Sequence, residues 1–404
     1  MICGVVACDD DPATLSQPYP NIGASDVIHS DVTGADDTST VPGPASIPCE
    51  APSANGIAVT GVVYEDGDGS DDSVWQWSID ADIDQVLSGL TIELVGADQV
   101  LETESCDEGS FLFDDVADGT YLVRPQFDGE VYCSTRNCPR RFYEAVDEGE
   151  VTIVTIGDSV PVVGDGARFP TRLKTLLDPL VTVDNRNVAV SGSTSPQWLP
   201  GTGNFQQVLV PHIPDADVLL ISVGGNDIMG YAVELLPGIL GGSLDAEGAV
   251  EEAKILVAGI AENIRSIAAA VREINPDVDV AYLLYPNYGQ AVNTMPWSMV
   301  PGFLGDDAMV QILEAARSAI QEDDAIILVD MYGRAEGLPL DDYLKESDGQ
   351  KDPLHFNDMG HTLYAEEIFE TLGGVLVGST PFDPAYGQAP LGLERPFGLM
   401  DMAP

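Results

Sequence analysis

The chain has 404 residues, long enough for two folded units plus linkers, and its 44% hydrophobic content suffices for a buried core. Against 16 Lys and Arg stand 67 Asp and Glu, a net charge of −51, whose field repels nucleic acid and anionic membrane surfaces. No apolar run reaches the ~18 residues that a membrane-spanning helix needs.

At the N-terminus, Val5-Val6-Ala7 precede Cys8, and an acidic, Pro-containing stretch follows. This looks like the tail of a bacterial lipoprotein signal without its basic region and longer apolar run, so the start is expected to lie upstream. The expected location is therefore extracytoplasmic, either secreted or held at the cell surface by a lipid on Cys8. Residues 9–55 are rich in Asp, Ser, Thr, Pro and Gly and bury too little to offset ordering entropy, so 1–55 reads as signal plus disordered acidic tether.

From Gly56 short alternating or β-branched runs appear between Gly/Asp turns: IAVTGVVY, LTIELVG, GSFLFDDV and GTYLVRPQ. They predict a small all-β sandwich over 56–128. It resembles the prealbumin-like, Cna-B-type modules of bacterial surface proteins in its opening strand with an acidic loop (Val62 to Gly69), in Gly89 to Leu94, in Asp107 to Phe111 and in Asp118 to Tyr121. In the acidic loop, Asp66, Asp68, Ser70 and Asp72 set oxygen ligands at alternate positions, as calcium loops do. The EF-hand ending is missing, since Trp77 stands where the last ligand would, so a structural calcium site and a solvated acidic turn both stay open.

Cys49, Cys106, Cys133 and Cys138 fall in the first third of the chain and read as two disulfides with three possible pairings; Cys133–Cys138 would close a small loop. That loop lies in a connector over 129–150.

At Val151 the rhythm changes. VTIVTI, VTVDNRNVAV, ADVLLISVG, DVDVAYLLY and DDAIILVDMY are near-continuous apolar runs, as in strands buried on both faces. Helical patterns alternate with them: ARFPTRLKTLL, a long AVEEAKILVAGIAENIRSIAAAVREI, DDAMVQILEAARSAIQ and HTLYAEEIFETL. The alternation predicts a parallel α/β sheet covered by helices on both faces over 151–373. The Pro/Gly-rich tail 374–404 is expected to lack regular structure.

Functional groups in such sheets collect at the carboxyl ends of the strands. Those ends read Gly157-Asp158-Ser159, then Gly192, then Gly224-Gly225-Asn226-Asp227, and finally Asp352 to His355 before the last helix. A hydroxyl, a backbone N–H, a side-chain amide and an acid–imidazole pair are the parts of an acyl-transfer site. Ser159, Gly192, Asn226 and His355, in this order and with Asp352 three residues before the histidine, resemble the SGNH/GDSL hydrolases across 151–373. The one departure is Val160, where the family name has Leu.

The resemblance implies a flavodoxin-like fold and a serine esterase that hydrolyses carboxylic esters, short acyl or acetyl esters including those on carbohydrate. It implies Ser159 as nucleophile, His355 as base and Asp352 as its partner. Ser159 and Gly192 N–H with the Asn226 amide would form the oxyanion hole, and no catalytic cofactor is needed. Trp198, Tyr231, Tyr285 and Asn287 follow strand ends and are candidates to line a substrate pocket, with core packing as the alternative for each. Asp158 and Asp227 read as loop-holding residues, and His29, His212 and His361 as structural or solvated. No G-x-S-x-G elbow occurs, which argues against an α/β-hydrolase serine. Two other readings use the same features: a non-catalytic adhesion or calcium-binding surface protein, and an acyltransferase acting through the same serine.

Overall fold

The computed structural model describes residues 6–8, 58–62, 64–65, 85–106, 109–127, 130–131, 139–243, 245–288, 300, 304, 306–347 and 350–377. The expected calcium ligands Asp66, Asp68, Ser70 and Asp72, as well as Cys49, Cys133 and Cys138, lie outside these residues. Cys106 is disulfide-bonded. Among the described residues no helix is long and apolar enough to cross a membrane, and no group of three His, Cys, Asp or Glu could hold a metal ion.

Five strands form the central sheet: β1 (Glu150–Gly157), β2 (Thr182–Asn187), β3 (Val218–Ser222), β4 (Asp279–Leu284) and β5 (Ile326–Asp330). Every pairing is parallel, in the order β2-β1-β3-β4-β5. The apolar runs read from sequence are these strands, and their residues feed two cores by turns. Val151, Ile153, Val218, Leu220, Ala281, Leu283, Ile327 and Val329 face one core. Val154, Ile156, Leu219, Ile221, Val280, Tyr282, Ile326 and Leu328 face the other.

Helices α1 (Arg140–Glu148), α2 (Phe169–Leu177) and α6 (Asp358–Thr371) cover the first face; α4 (Ala246–Ile274) and α5 (Asp306–Gln321) lie on the second side, and α3 (Gly225–Gly241) packs on α4. Two of these helices differ from the sequence expectation. The connector over 129–150 holds α1, because Phe142, Tyr143, Ala145 and Val146 recur at helical spacing and bury together. Helix α3 has no mark in the sequence pattern, because it is apolar on nearly all sides and contains Pro237.

Antiparallel strands precede the parallel sheet. Val6–Cys8, read from sequence as part of a signal, pairs with Ala58–Val62, which pairs with Ser110–Phe113. A second sheet runs Gly374–Val377, Gly119–Phe127, Thr91–Val95, Val100–Glu104. The tail is thus corrected over its first four residues: Gly374–Val377 is a strand, because Val375 and Val377 fill the same cluster as Val59, Ile92, Leu94, Phe111 and Val123.

The opposite face of this sheet belongs to the α/β core. Leu122 is fully buried with Phe142, Tyr143 and Phe369. Arg124 Nε donates to Glu93 at 2.6 Å and its Nη1 to Asp147 of α1 at 2.7 Å. The antiparallel strands are therefore fastened to the α/β unit by segments that precede it and follow it in sequence.

Two buried carboxyls, Asp158 and Glu366, and the half-buried Asp279 bear on the pH response of the fold. Burial pushes Asp279 and Glu366 up to about 7 and Asp158 up to about 6, although Asp279 accepts a hydrogen bond from Phe142 N–H at 2.8 Å. Unfolded, such groups titrate near pH 4. The folded chain holds these protons more tightly, so their stabilisation is complete below about pH 4 and is lost as pH rises through about 6–7. His361, pushed down to about 4 by burial, works oppositely and loses stability below about pH 6.5. With three carboxyls against one imidazole, the melting temperature is expected to be higher at about pH 5 than at about pH 8. Asp279→Asn should narrow that difference; a melting temperature that rises between the two pH values contradicts the assignment.

Candidate active site

The order β2-β1-β3 makes a topological switch between β1 and β3, where open parallel sheets leave a crevice at the strand ends. Ser159 follows β1. Its approach depends on Gly157, where a Cβ would meet the Ser222 carbonyl oxygen at 2.1 Å. The loop is pinned by Asp158, which is 2% exposed and accepts from Val160 N–H at 3.0 Å and from Tyr285 O–H at 2.7 Å.

His355 arrives on the strand Gln350–Phe356, which pairs with Leu344–Ser347 with a register shift between Leu344 and Glu346. The segment is the second arm of a hairpin. Asn357 closes it, capping α6 by accepting from Gly360 N–H at 3.0 Å and donating to the Asp342 carbonyl at 2.6 Å.

Within this arm, Asp352 Oδ1 accepts from the backbone N–H of Leu354 at 3.0 Å and of His355 at 3.2 Å. Its Oδ2 lies 2.7 Å from His355 Nδ1, and His355 Nε2 lies 2.8 Å from Ser159 Oγ. A carboxylate only accepts, so Nδ1 carries the proton and Nε2 accepts from the serine hydroxyl. Burial disfavours the Asp352 charge, but the hydrogen bonds from His355 and Leu354 outweigh it and hold the carboxyl below its usual range. Carboxylate, imidazole and hydroxyl therefore form one row, in which the imidazole is poised to take the serine proton.

Gly192 and Asn226 are tied to the same place. Gly192 sits in the left-handed region at φ +82, with no atom within 4 Å of where a Cβ would be, so backbone conformation rather than crowding calls for glycine. The residues around it close over the end of β1: Val190 N–H donates to the Gly157 carbonyl at 3.0 Å, and Ser193 Oγ donates to it at 2.9 Å. Asn226 opens α3, and its Nδ2 donates to the Ser193 carbonyl at 2.9 Å. An amide nitrogen has a second hydrogen, which this bond does not use. Among the described residues, neither Ser159 N–H nor Gly192 N–H donates to a backbone carbonyl.

The sequence pattern of the GDSL-like lipase/acylhydrolase family matches residues 155–363 and so runs from β1 into α6. The chain belongs to this family. A search among curated proteins returns no match. Among solved structures, the chain is similar to a lipase from a goat rumen metagenome (19% identity, 55% of this chain and 98% of that one, TM-score 0.43). It is also similar to phospholipase A1 from Streptomyces albidoflavus (18% identity, 55% and 99% covered, TM-score 0.42). A third is a family 3 carbohydrate esterase from Talaromyces cellulolyticus (17% identity, 55% and 96% covered, TM-score 0.35).

In this GDSL-type hydrolase three of the four pocket candidates have their polar tips engaged by other residues of the protein. Trp198 is 0% exposed and its indole N–H donates to Ser193 Oγ at 2.8 Å, so it braces the Gly192 segment from inside. Tyr285 is buried, with its hydroxyl spent on Asp158. Tyr231 donates to the Ala249 carbonyl at 2.8 Å and fastens α3 to α4. Asn287 is buried. A buried aromatic with a polar tip and a pocket aromatic look alike in sequence.

His361 is fully buried and bonds through Nε2 to the Val163 carbonyl at 3.2 Å, supporting the loop after Ser159. Sequence reasoning missed Ser193, Ser195 and Asn263. The only signal for Ser193 and Ser195 is the polar run Ser191-Gly192-Ser193-Thr194-Ser195 around the glycine, and Asn263, inside the long helix, has none.

Proposed function

We propose that this GDSL-type hydrolase cleaves carboxylic esters through an acyl-Ser159 intermediate. The observation that carries the reading is the row Ser159 Oγ, His355, Asp352, with contacts of 2.8 and 2.7 Å. Ser159 Oγ attacks the carbonyl carbon while His355 Nε2 takes its proton. The negative oxygen is held by the N–H groups of Ser159 and Gly192 and by the second Asn226 amide hydrogen; one such donor is worth about 3 kcal/mol of barrier. Collapse breaks the bond to the alcohol oxygen, which leaves with the proton from His355. Water then attacks the acyl carbon, His355 again taking the proton, and the carboxylic acid departs as Ser159 recovers its hydrogen. Asp352 keeps the imidazole oriented and stabilises its charged form throughout. The steps need only these groups and water.

The substrates proposed are short acyl or acetyl esters, including those on carbohydrate. Neutral, hydroxyl-rich molecules are not repelled by a chain of net charge −51, whereas polyanions are. A series of p-nitrophenyl esters from acetate to palmitate tests the reading: kcat/KM should be highest for acetate or butyrate and fall towards palmitate. A preference for palmitate overturns the short-acyl part, and no turnover of any ester overturns the reaction itself.

A further inference from the structure

Beside Asn226 lies a polar cluster that the steps above do not use. Asp227 directs both carboxylate oxygens at one residue of another loop: Oδ2 accepts from Ser195 N–H at 2.9 Å, and Oδ1 accepts from Ser195 Oγ at 2.8 Å. Ser195 is 0% exposed, and its Oγ also accepts from Asn263 Nδ2 of α4 at 2.9 Å. Two residues earlier, the Ser193 carbonyl accepts from Asn226 Nδ2 at 2.9 Å. Neighbours in sequence on α3, Asn226 and Asp227, thus grip alternate residues of the segment that begins at Gly192. The other side of that segment is fixed by Ser193 Oγ on the Gly157 carbonyl and by Trp198 on Ser193.

We propose that Asp227, acting through Ser195, is a positioning residue that sets the distance between the Gly192 N–H and the Asn226 amide. The proposal rests on the reading of those two groups as oxyanion donors. Such donors work only when they are aimed at the developing charge before reaction, and each bond in the clamp removes a way for them to drift. A carboxylate suits the task because it accepts two hydrogen bonds side by side and strengthens both. Asp227 stands in the first turn of α3, so a negative charge on it faces these neutral donors and the positive end of its own helix. Burial pushes its carboxyl upward, which is the cost of holding it there.

The test compares Asp227→Asn, Asn226→Ala and the double variant in the full chain, with active sites counted by fluorophosphonate titration. An Asn at 227 turns an NH2 group towards one of the two Ser195 donors. Displacement of about 1 Å can cost 10²-fold in rate, so Asp227→Asn should lower kcat about 10- to 100-fold with KM within about twofold. Affinity for a trifluoromethyl ketone, which forms an anionic tetrahedral adduct with the serine, should fall by the same factor. The double variant should be no slower than Asn226→Ala alone, because residues acting as a unit are not additive.

A lower melting temperature with kcat per active site unchanged overturns the proposal, and so do effects that multiply in the double variant. If Asn226→Ala itself leaves kcat unchanged, the oxyanion reading beneath the proposal fails. Should Asp227→Asn not fold, Ser195→Ala removes one of the two bonds and should give a smaller kcat loss with the same KM behaviour; a kcat per active site equal to wild type overturns the proposal.

Discussion

Replacing Ser159 by Ala is expected to lower ester hydrolysis by about 10⁴-fold or more while the fold persists. Ser159 is 7% exposed and its hydroxyl bonds to His355 Nε2. The backbone bonds that shape its loop, from Val162 and Val163 N–H to the Ser159 carbonyl at 3.0 and 2.7 Å, do not involve it. Circular dichroism and a thermal melt should therefore match wild type within a few degrees while p-nitrophenyl acetate turnover disappears. His355→Ala should lose nearly as much. Asp352→Ala should be no milder, because its carboxylate orients the imidazole and also receives the N–H groups of Leu354 and His355 that fold the arm. Near-wild-type turnover by the Ser159 variant removes that residue from the chemistry.

The second large effect concerns the antiparallel strands. Although Ser159, Asp352 and His355 all lie after residue 150, a chain beginning at residue 139 is expected to lose cooperative unfolding and activity together. It would leave Gly374–Val377 without its partner strand Gly119–Phe127. It would also uncover Phe142, Tyr143 and Phe369 where Leu122 now packs, and leave Asp147 without Arg124. Leu122→Ala in the full chain isolates the packing part, with an expected cost of about 2–5 kcal/mol for a buried leucine. Denaturant unfolding of both proteins is the measurement. A truncated chain that melts sharply and hydrolyses esters at the full rate shows that the strands are accessory.

The parallel sheet and the row of Ser159, His355 and Asp352 are legible in the amino-acid sequence because both leave local marks. Strands buried on both faces, such as Val218–Ser222, are continuous apolar runs; Ser159 stands where one such run stops, while Asp352 and His355 are marked by their three-residue spacing just before the last helix. What the sequence does not disclose is long-range. The four residues Gly374–Val377 carry too short a pattern to announce a strand, and the partner that stabilises them is Gly119–Phe127, far away in the chain. Helix α3 has apolar residues on most sides, so no single stripe marks it, while its glycines and Pro237 argue locally for a loop. The bonds linking Asn226 and Asp227 to Ser193 and Ser195 exist only because β2 and β3 flank β1. Trp198 and Tyr285 are ambiguous in sequence for a different reason: a tyrosine hydroxyl or an indole N–H needs a partner whether it faces substrate or core, and here both partners are internal.

Passage of the ester's acyl group through Ser159 can be observed by trapping it. The enzyme is mixed with p-nitrophenyl acetate, quenched with acid during turnover, digested and mapped by mass spectrometry. The acetyl group should be found on Ser159 and on no other serine, and it should vanish when the quench follows exhaustion of the ester. Steady hydrolysis with Ser159 unmodified, or with the acyl group on another residue, contradicts the acyl-Ser159 mechanism.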